Sequence, residues 1–289
     1  MSKIAVVTDS NSGITQAQGR QMGIWVLPMP FYINDELFFE DVTLTQEEFY
    51  RRLETGADVK TTQPAPGDVT ALWDQVLQDY DALVYLPMSS GLSSSCDTAI
   101  MLAQEYDGRV EVVNNQRISV TLRRSVEDAL TLADAGMSAQ EIREFLERVK
   151  FDSDIYITVD TLKYLKKGGR LTPAAAAIGT VLNLKPVLRI KGEKLDAFAK
   201  TRGWKAAKQT MIRTVQEVLS RDFPDCRGPE DIHIDAAYTG NCADAQEWLA
   251  ELEAAFPGYP VHMDPLSLSV SCHIGPGARA VTLSKAIRV

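Results

Sequence analysis

Ser89-Ser90-Gly91-Leu92-Ser93-Ser94-Ser95 concentrates five serines and a glycine in seven residues. The apolar run before it, Ala82-Leu83-Val84-Tyr85, predicts a buried strand. The run after it, Thr98-Ala99-Ile100-Met101-Leu102-Ala103, predicts a helix. Hydroxyls gathered between a strand end and a helix start fit an anion site. A helix N-terminus offers unpaired N–H groups and a partial positive charge, and the serines add further donors. Open α/β sheets usually bind their ligands at such strand ends. The alternative is an ordinary helix start capped by Ser93 or Ser94. One cap accounts for one serine, not five.

Other residue types could join such a site. Lys60-Thr61-Thr62-Gln63-Pro64-Ala65-Pro66-Gly67-Asp68 is kept out of regular structure by its prolines and glycine and exposes two adjacent threonine hydroxyls. It also reads as a solvated connector. Arg170 follows the helix stop Gly168-Gly169; its guanidinium would reinforce an anion site, or it is a surface arginine. Lys163, Lys166 and Lys167 read as a solvated face. Of the three histidines, His233 and His262 fall inside expected strands and read as structural. His273 lies in Cys272-His273-Ile274-Gly275-Pro276-Gly277-Ala278, read as a rigid loop between strands, where a polar side chain serves either a ligand or the loop. No two histidines are spaced as a metal pair.

Gly275-Pro276-Gly277-Ala278-Arg279-Ala280 matches GxGxxA but is rejected as a dinucleotide fingerprint. It is C-terminal, no long helix is expected after it, and its proline removes an N–H that pyrophosphate needs. Neither a P-loop nor a GxSxG elbow is present. A serine-type esterase or thioesterase using Ser93 and His273 is open on residue types. It lacks an identifiable elbow and an orienting acid.

The net charge of −9 over 289 residues argues against general nucleic-acid or anionic-membrane binding. No apolar run approaches the ~20 residues of a membrane helix. The strand-like N-terminus does not read as a signal peptide. Cys96, Cys226, Cys242 and Cys272 are scattered without a CxxC pair, so a reducing, cytoplasmic setting is expected.

Strands are predicted over residues 4–7, 25–33, 82–85 and 109–113, with a hairpin return at 37–40 and helices near 14–22, 46–54, 68–80, 98–103, 117–135 and 138–150. This alternation predicts α/β architecture: a parallel-sheet N-terminal domain over 1–150 with helices on both faces. Thr45 to Glu48 and Ser138 to Glu141 have capping-box spacing. Beyond 151 the pattern mixes hairpins and helices. Strands are expected at 154–159, 186–190, 194–199, 231–238, 260–263 and 280–286, and helices at 162–167, 173–182, 205–220 and 243–255. That predicts an α+β C-terminal domain over 151–289 with a mixed sheet.

Val7-Thr8-Asp9-Ser10, Thr61-Thr62-Gln63-Pro64, Ser89-Ser90-Gly91-Leu92-Ser93 and His273-Ile274-Gly275-Pro276-Gly277 occur in that order along the chain. Between the last two lie Leu162-Lys163-Tyr164-Leu165-Lys166-Lys167-Gly168-Gly169-Arg170 and Leu182-Asn183-Leu184-Lys185-Pro186. The ordered set resembles the DegV family, bacterial proteins that bind long-chain fatty acids. The resemblance implies a two-domain fold with the fatty acid, such as palmitate or oleate, held between or beneath the domains. It implies a carboxylate bound by Thr61, Thr62, Ser93, Ser94 and Ser95, with His273 nearby and Arg170 in support. It further implies no other cofactor, no turnover of its own, no stable membrane insertion, and presentation of the lipid to a separate ATP-dependent fatty acid kinase subunit for acyl phosphate formation. The chain departs from the family pattern at Ser94, Cys96, Asn114-Asn115 and Thr121-Leu122-Arg123-Arg124.

Overall fold

The computed structural model describes residues 2–178 and 184–288, and the chain divides into two units: Met1–Phe151 with Ser267–Ser269, and Asp152–Leu266 with Val270–Arg288. The first unit begins β1 (Ile4–Asp9), α1 (Gln16–Met22), β2 (Trp25–Leu27), β3 (Pro30–Ile33), β4 (Glu36–Phe39), α2 (Gln46–Glu54) and β5 (Val59–Thr61). It continues with α3 (Pro66–Val76), β6 (Ala82–Leu86), α4 (Ser95–Ala103), β7 (Val110–Val112), α5 (Val120–Asp134) and α6 (Ala139–Arg148). Strands in the order β2-β1-β6-β7 form an all-parallel sheet. Its strands are near-continuous apolar runs because both faces are covered. Ala5, Val7, Leu83, Tyr85, Val110 and Val112 pack with Val69, Trp73 and Val76 of α3 and with Cys96 and Ala99 of α4. Alternate residues such as Val6, Val84 and Leu86 point to the opposite face, against which α5 and α6 pack. The capping boxes form at Ser138–Glu141 and also at Thr15–Gln18, while Thr45 accepts from the Glu48 amide.

The single strand expected over residues 25–33 is two strands. Prolines at 28 and 30 interrupt it: β2 joins the parallel sheet, and β3 joins a separate antiparallel sheet of order β4-β3-β5. Its hairpin turns at Asn34 and Asp35, both at positive φ, which these residues tolerate better than most. The 60–68 stretch is likewise not all irregular, since Val59–Thr61 is β5 with Thr61 opposite Phe31. α3 starts at Pro66 instead of 68, because proline at the first helical position loses no helical hydrogen bond.

The second unit runs β8 (Ser153–Thr158), α7 (Lys163–Gly168), α8 (Pro173–Ala176), β9 (Val187–Ile190), β10 (Asp196–Ala199) and α9 (Gly203–Asp222). Then come β11 (Ile232–Tyr238), α10 (Cys242–Ala255), β12 (His262–Pro265), α11 (Leu268–Ile274), whose first two residues group with the first unit, and β13 (Arg279–Lys285). The sheet order is β10-β9-β8-β13-β11-β12, mixed because only β11 and β12 are parallel. Ala207, Met211, Val215 and Val218 of α9 and Trp248 and Leu252 of α10 pack on Tyr156, Ile232, Ile234, Val281 and Leu283. The Trp248 indole N–H donates to the Ala280 carbonyl at 3.0 Å, so this buried ring's polar group is met. Of the helix expected over 173–182, Pro173–Ala176 is observed; 179–182 lie outside the described residues, as do Leu182 and Asn183 of the quoted string. Among the described residues, no helix is long and apolar enough to cross a membrane.

Candidate functional site

In the first unit, polar residues gather beyond the C-terminal ends of β1 and β6. The serine loop folds on itself: the Leu92 and Ser93 amides donate to the Ser89 carbonyl, and the Gly91 amide to the Ser89 hydroxyl. The Ser93 hydroxyl accepts from the Ser95 amide at 3.2 Å. Ser94 stands at the N-cap of α4, yet its hydroxyl caps nothing and donates to Gln63 Oε1 at 3.2 Å. The same oxygen accepts from the Thr98 hydroxyl at 3.2 Å. Gln63 directly follows Thr61 and Thr62, and the Thr62 hydroxyl donates to its carbonyl. Gln63 therefore ties the segment that carries Thr61 and Thr62 to the serine loop and α4, at Ser94 and Thr98. Ser95 is buried, and its hydroxyl oxygen finds no hydrogen-bond partner among the described residues.

The loop is positioned from β1. Asp9 is buried at the strand end; one carboxylate oxygen accepts from the Met88 amide and the other from the Asn11 amide, each at 2.9 Å. Burial pushes its carboxyl up to about 6 despite those bonds. Asn11 in turn accepts at Oδ1 from the hydroxyls of Ser267 at 2.9 Å and Ser269 at 2.5 Å. Glu40, also buried, accepts from the Leu268 amide at 2.7 Å. Composition and spacing give no sign of these contacts, because Asn11 and Glu40 are more than 220 residues from the serines and amide they hold.

In the second unit, His273 and Arg170 come together. His273 is in the last turn of α11, not in an irregular loop as its glycine–proline neighbourhood predicts. Serine and valine are weak helix formers, so Leu268–Ile274 carries little helical signal in sequence. The histidine ring lies against Gly168: a Cβ there would sit 2.3 Å from His273 Nδ1. Gly169, at φ +68°, ends α7 in the left-handed conformation that glycine adopts without strain, and Arg170 follows, donating back to the Gly168 carbonyl. Gly275, also at positive φ, packs on Tyr164, whose ring would be 2.3 Å from a Cβ. Burial, and then the Arg170 charge, lower the His273 imidazole to about 4. The pair therefore offers one fixed cation and one neutral imidazole near pH 7, which suits an anionic oxygen. His233 and His262 lie in β11 and β12 as read, and His262 meets the Asp264 carboxylate at 2.8 Å.

The departures from the family pattern have local explanations. Cys96 is buried under the sheet with its thiol pushed up to about 12 by burial, so it behaves as an apolar side chain. Arg123 and Arg124 both pair with Glu127, one and nearly one helical turn along α5. Asn115 accepts from the Arg117 amide, and the Asn114 amide donates to Glu147. Among the described residues, no cluster of His, Cys, Asp or Glu could hold a metal ion.

The model of the family described as "Uncharacterised protein, DegV family" matches residues 3–286. A DegV domain-containing protein of Deinococcus radiodurans is 31% identical over 97% of this chain and 98% of its own length. Among solved structures, a DegV family protein of Thermus thermophilus described for its fatty acid binding has 28% identity and a TM-score of 0.87, covering 98% of this chain and 99% of that one. DegV of Bacillus subtilis, described as a fatty acid binding protein, has 26% identity and a TM-score of 0.84 with the same coverage. With the family match spanning nearly every residue, the chain belongs to the DegV family.

Proposed function

We propose that this protein binds a long-chain fatty acid and has no turnover of its own. The observation that carries the reading is whole-length similarity to two DegV structures described as fatty acid binding. The chemistry of the residues supports it. A carboxylate leaving water needs donors or a cation, because an unpaired buried charge is very costly. Thr61, Thr62, Ser93, Ser94 and Ser95 are the hydroxyls we assign to it in the first unit, with His273 and Arg170 as further groups from the second. We read the protein as the lipid carrier of a two-component system in which a separate ATP-dependent kinase subunit forms the acyl phosphate. The site calls for no cofactor.

Purified protein is expected to carry a long-chain acid such as palmitate or oleate. Mass spectrometry of a solvent extract checks this. Added ligand at a hundredfold over its dissociation constant should stabilise the fold by about 2.7 kcal/mol. An empty extract together with no gain in Tm on adding palmitate or oleate overturns the proposal.

A serine esterase using Ser93 and His273 is disfavoured by the electrostatics of the histidine. A general base works best with a pKa near the operating pH, and an orienting carboxylate would raise that of His273. Instead burial and a neighbouring guanidinium lower it to about 4. Ser93→Ala and Thr61→Ala should each weaken fatty-acid binding by about ten- to a hundredfold, the worth of one hydrogen bond to a charged group. A fluorescent fatty-acid titration beside a p-nitrophenyl acyl ester assay separates the readings. Wild-type ester turnover that vanishes in Ser93→Ala with lipid affinity intact would establish the hydrolase instead.

A further inference from the structure

We infer that Asn11 is a positioning residue for His273: its side-chain oxygen holds the strap Ser267–Ser269 that opens α11, and the helix passes that placement on to the imidazole. The inference rests on the reading of His273 as a ligand-binding group. Asn11 is 1% exposed and fixed on every side. Its amide donates to Asp9 Oδ1, its carbonyl accepts from the Ser119 amide at 2.7 Å, and its Nδ2 donates to Met88 Sδ at 3.2 Å. What remains is Oδ1, and both strap hydroxyls donate to it. Glu40 adds a third anchor at the Leu268 amide between them.

The residue type at position 11 follows from these contacts. An apolar isostere would leave two buried hydroxyls without their acceptor. Aspartate would place another carboxyl group beside the buried Asp9 and Glu40. Asparagine supplies a neutral acceptor and, at the same time, the donor to sulfur. The strap makes the converse sense: Ser267 and Ser269 are buried and poor helix formers, and both hydroxyls go to Asn11.

Ser269 and His273 are four residues apart in α11 and so share a helix face. A shift or rotation at Ser269 is therefore transmitted along one turn to the imidazole. The seat at the far end has little tolerance, since the ring closes on Gly168 where not even a methyl group fits.

Asn11→Ala is tested for affinity to a fluorescent long-chain fatty acid, in wild-type and His273→Ala backgrounds, and for amide hydrogen exchange without ligand. The expected result is about three- to tenfold weaker binding, the worth of an ordinary hydrogen bond, with no further loss when His273 is already alanine. Exchange should quicken over residues 268–274 and not across the parallel sheet. Equal loss of affinity in the His273→Ala background, or unchanged exchange over 268–274, overturns the inference. If Asn11→Ala does not fold, Ser269→Ala is put to the same two measurements and decides it. If the wild type binds no fatty acid, the proposed function fails, and the exchange result alone supports or overturns the anchoring of α11.

Discussion

Glu40→Gln is expected to make the protein more stable in mildly alkaline solution than the wild type and to flatten the fall of its stability between about pH 4.5 and 8. Glu40 is buried at the end of the β3–β4 hairpin, and burial pushes its carboxyl from 4.5 up to about 8. The Leu268 amide and the Ser10 hydroxyl pull the other way, while Asp41 and Asp9 add repulsion. The folded state thus holds a proton that the unfolded chain releases near pH 4.5. A carboxyl raised in this way contributes stability that is complete below pH 4.5 and is lost as pH rises through about 8. The full loss is on the order of 3–5 kcal/mol. Glutamine keeps the carbonyl oxygen that accepts from Leu268 and carries no charge at any pH, so the mutant avoids that loss. Asp9, raised to about 6, retains its own dependence in both proteins, but over a lower window. Urea denaturation at about pH 5, 7 and 9 measures the difference. Parallel curves for wild type and mutant from about pH 5 to about pH 9 would refute the buried protonated carboxyl.

Gly168→Ala is expected to displace His273 and cost about ten- to a hundredfold in fatty-acid affinity, the worth of a hydrogen bond to a carboxylate. Alanine is the better helix former, and nothing in the Gly168 backbone requires glycine, since its φ is not positive. The obstacle is contact. The added Cβ would lie 2.3 Å from His273 Nδ1, 3.1 Å from Cγ and 3.3 Å from Cε1. The ring must leave its seat, at an overpacking cost of about 1–3 kcal/mol. Once displaced toward water and away from Arg170, the imidazole should titrate closer to its ordinary 6.5 than to about 4. An NMR titration of the histidine ring protons follows the shift directly, and calorimetry follows the affinity. A shifted titration with unchanged affinity would remove His273 from the site. An unchanged titration with lost affinity would mean that α7, not the histidine, carries the effect.

The sequence by itself determined the parallel sheet of the first unit and the mixed sheet of the second, but not the separate β4-β3-β5 sheet. Runs such as Ala82 to Leu86 are too apolar to stay in water and too short for buried helices, and their alternation with amphipathic helices leaves a parallel sheet as the solution. The capping-box spacing at Ser138 and Glu141 set a helix start because its energetics are local. The hydroxyl-rich serine loop was legible for a similar reason: a strand end joined to a helix start places those serines wherever the rest of the chain goes. The residues that position the groups were not legible. Gln63 bonds Ser94 and Thr98, Asn11 bonds Ser267 and Ser269, and Glu40 bonds the Leu268 amide. Such pairings are satisfied by burial of polar groups far apart in the chain, and no local propensity encodes them. Helix α11 belongs with them, since its serines and valine favour it little and its first amide is held by a distant carboxyl. The lowered imidazole of His273 was likewise decided in three dimensions, because desolvation and the nearness of Arg170 exist only once α7 and α11 are packed.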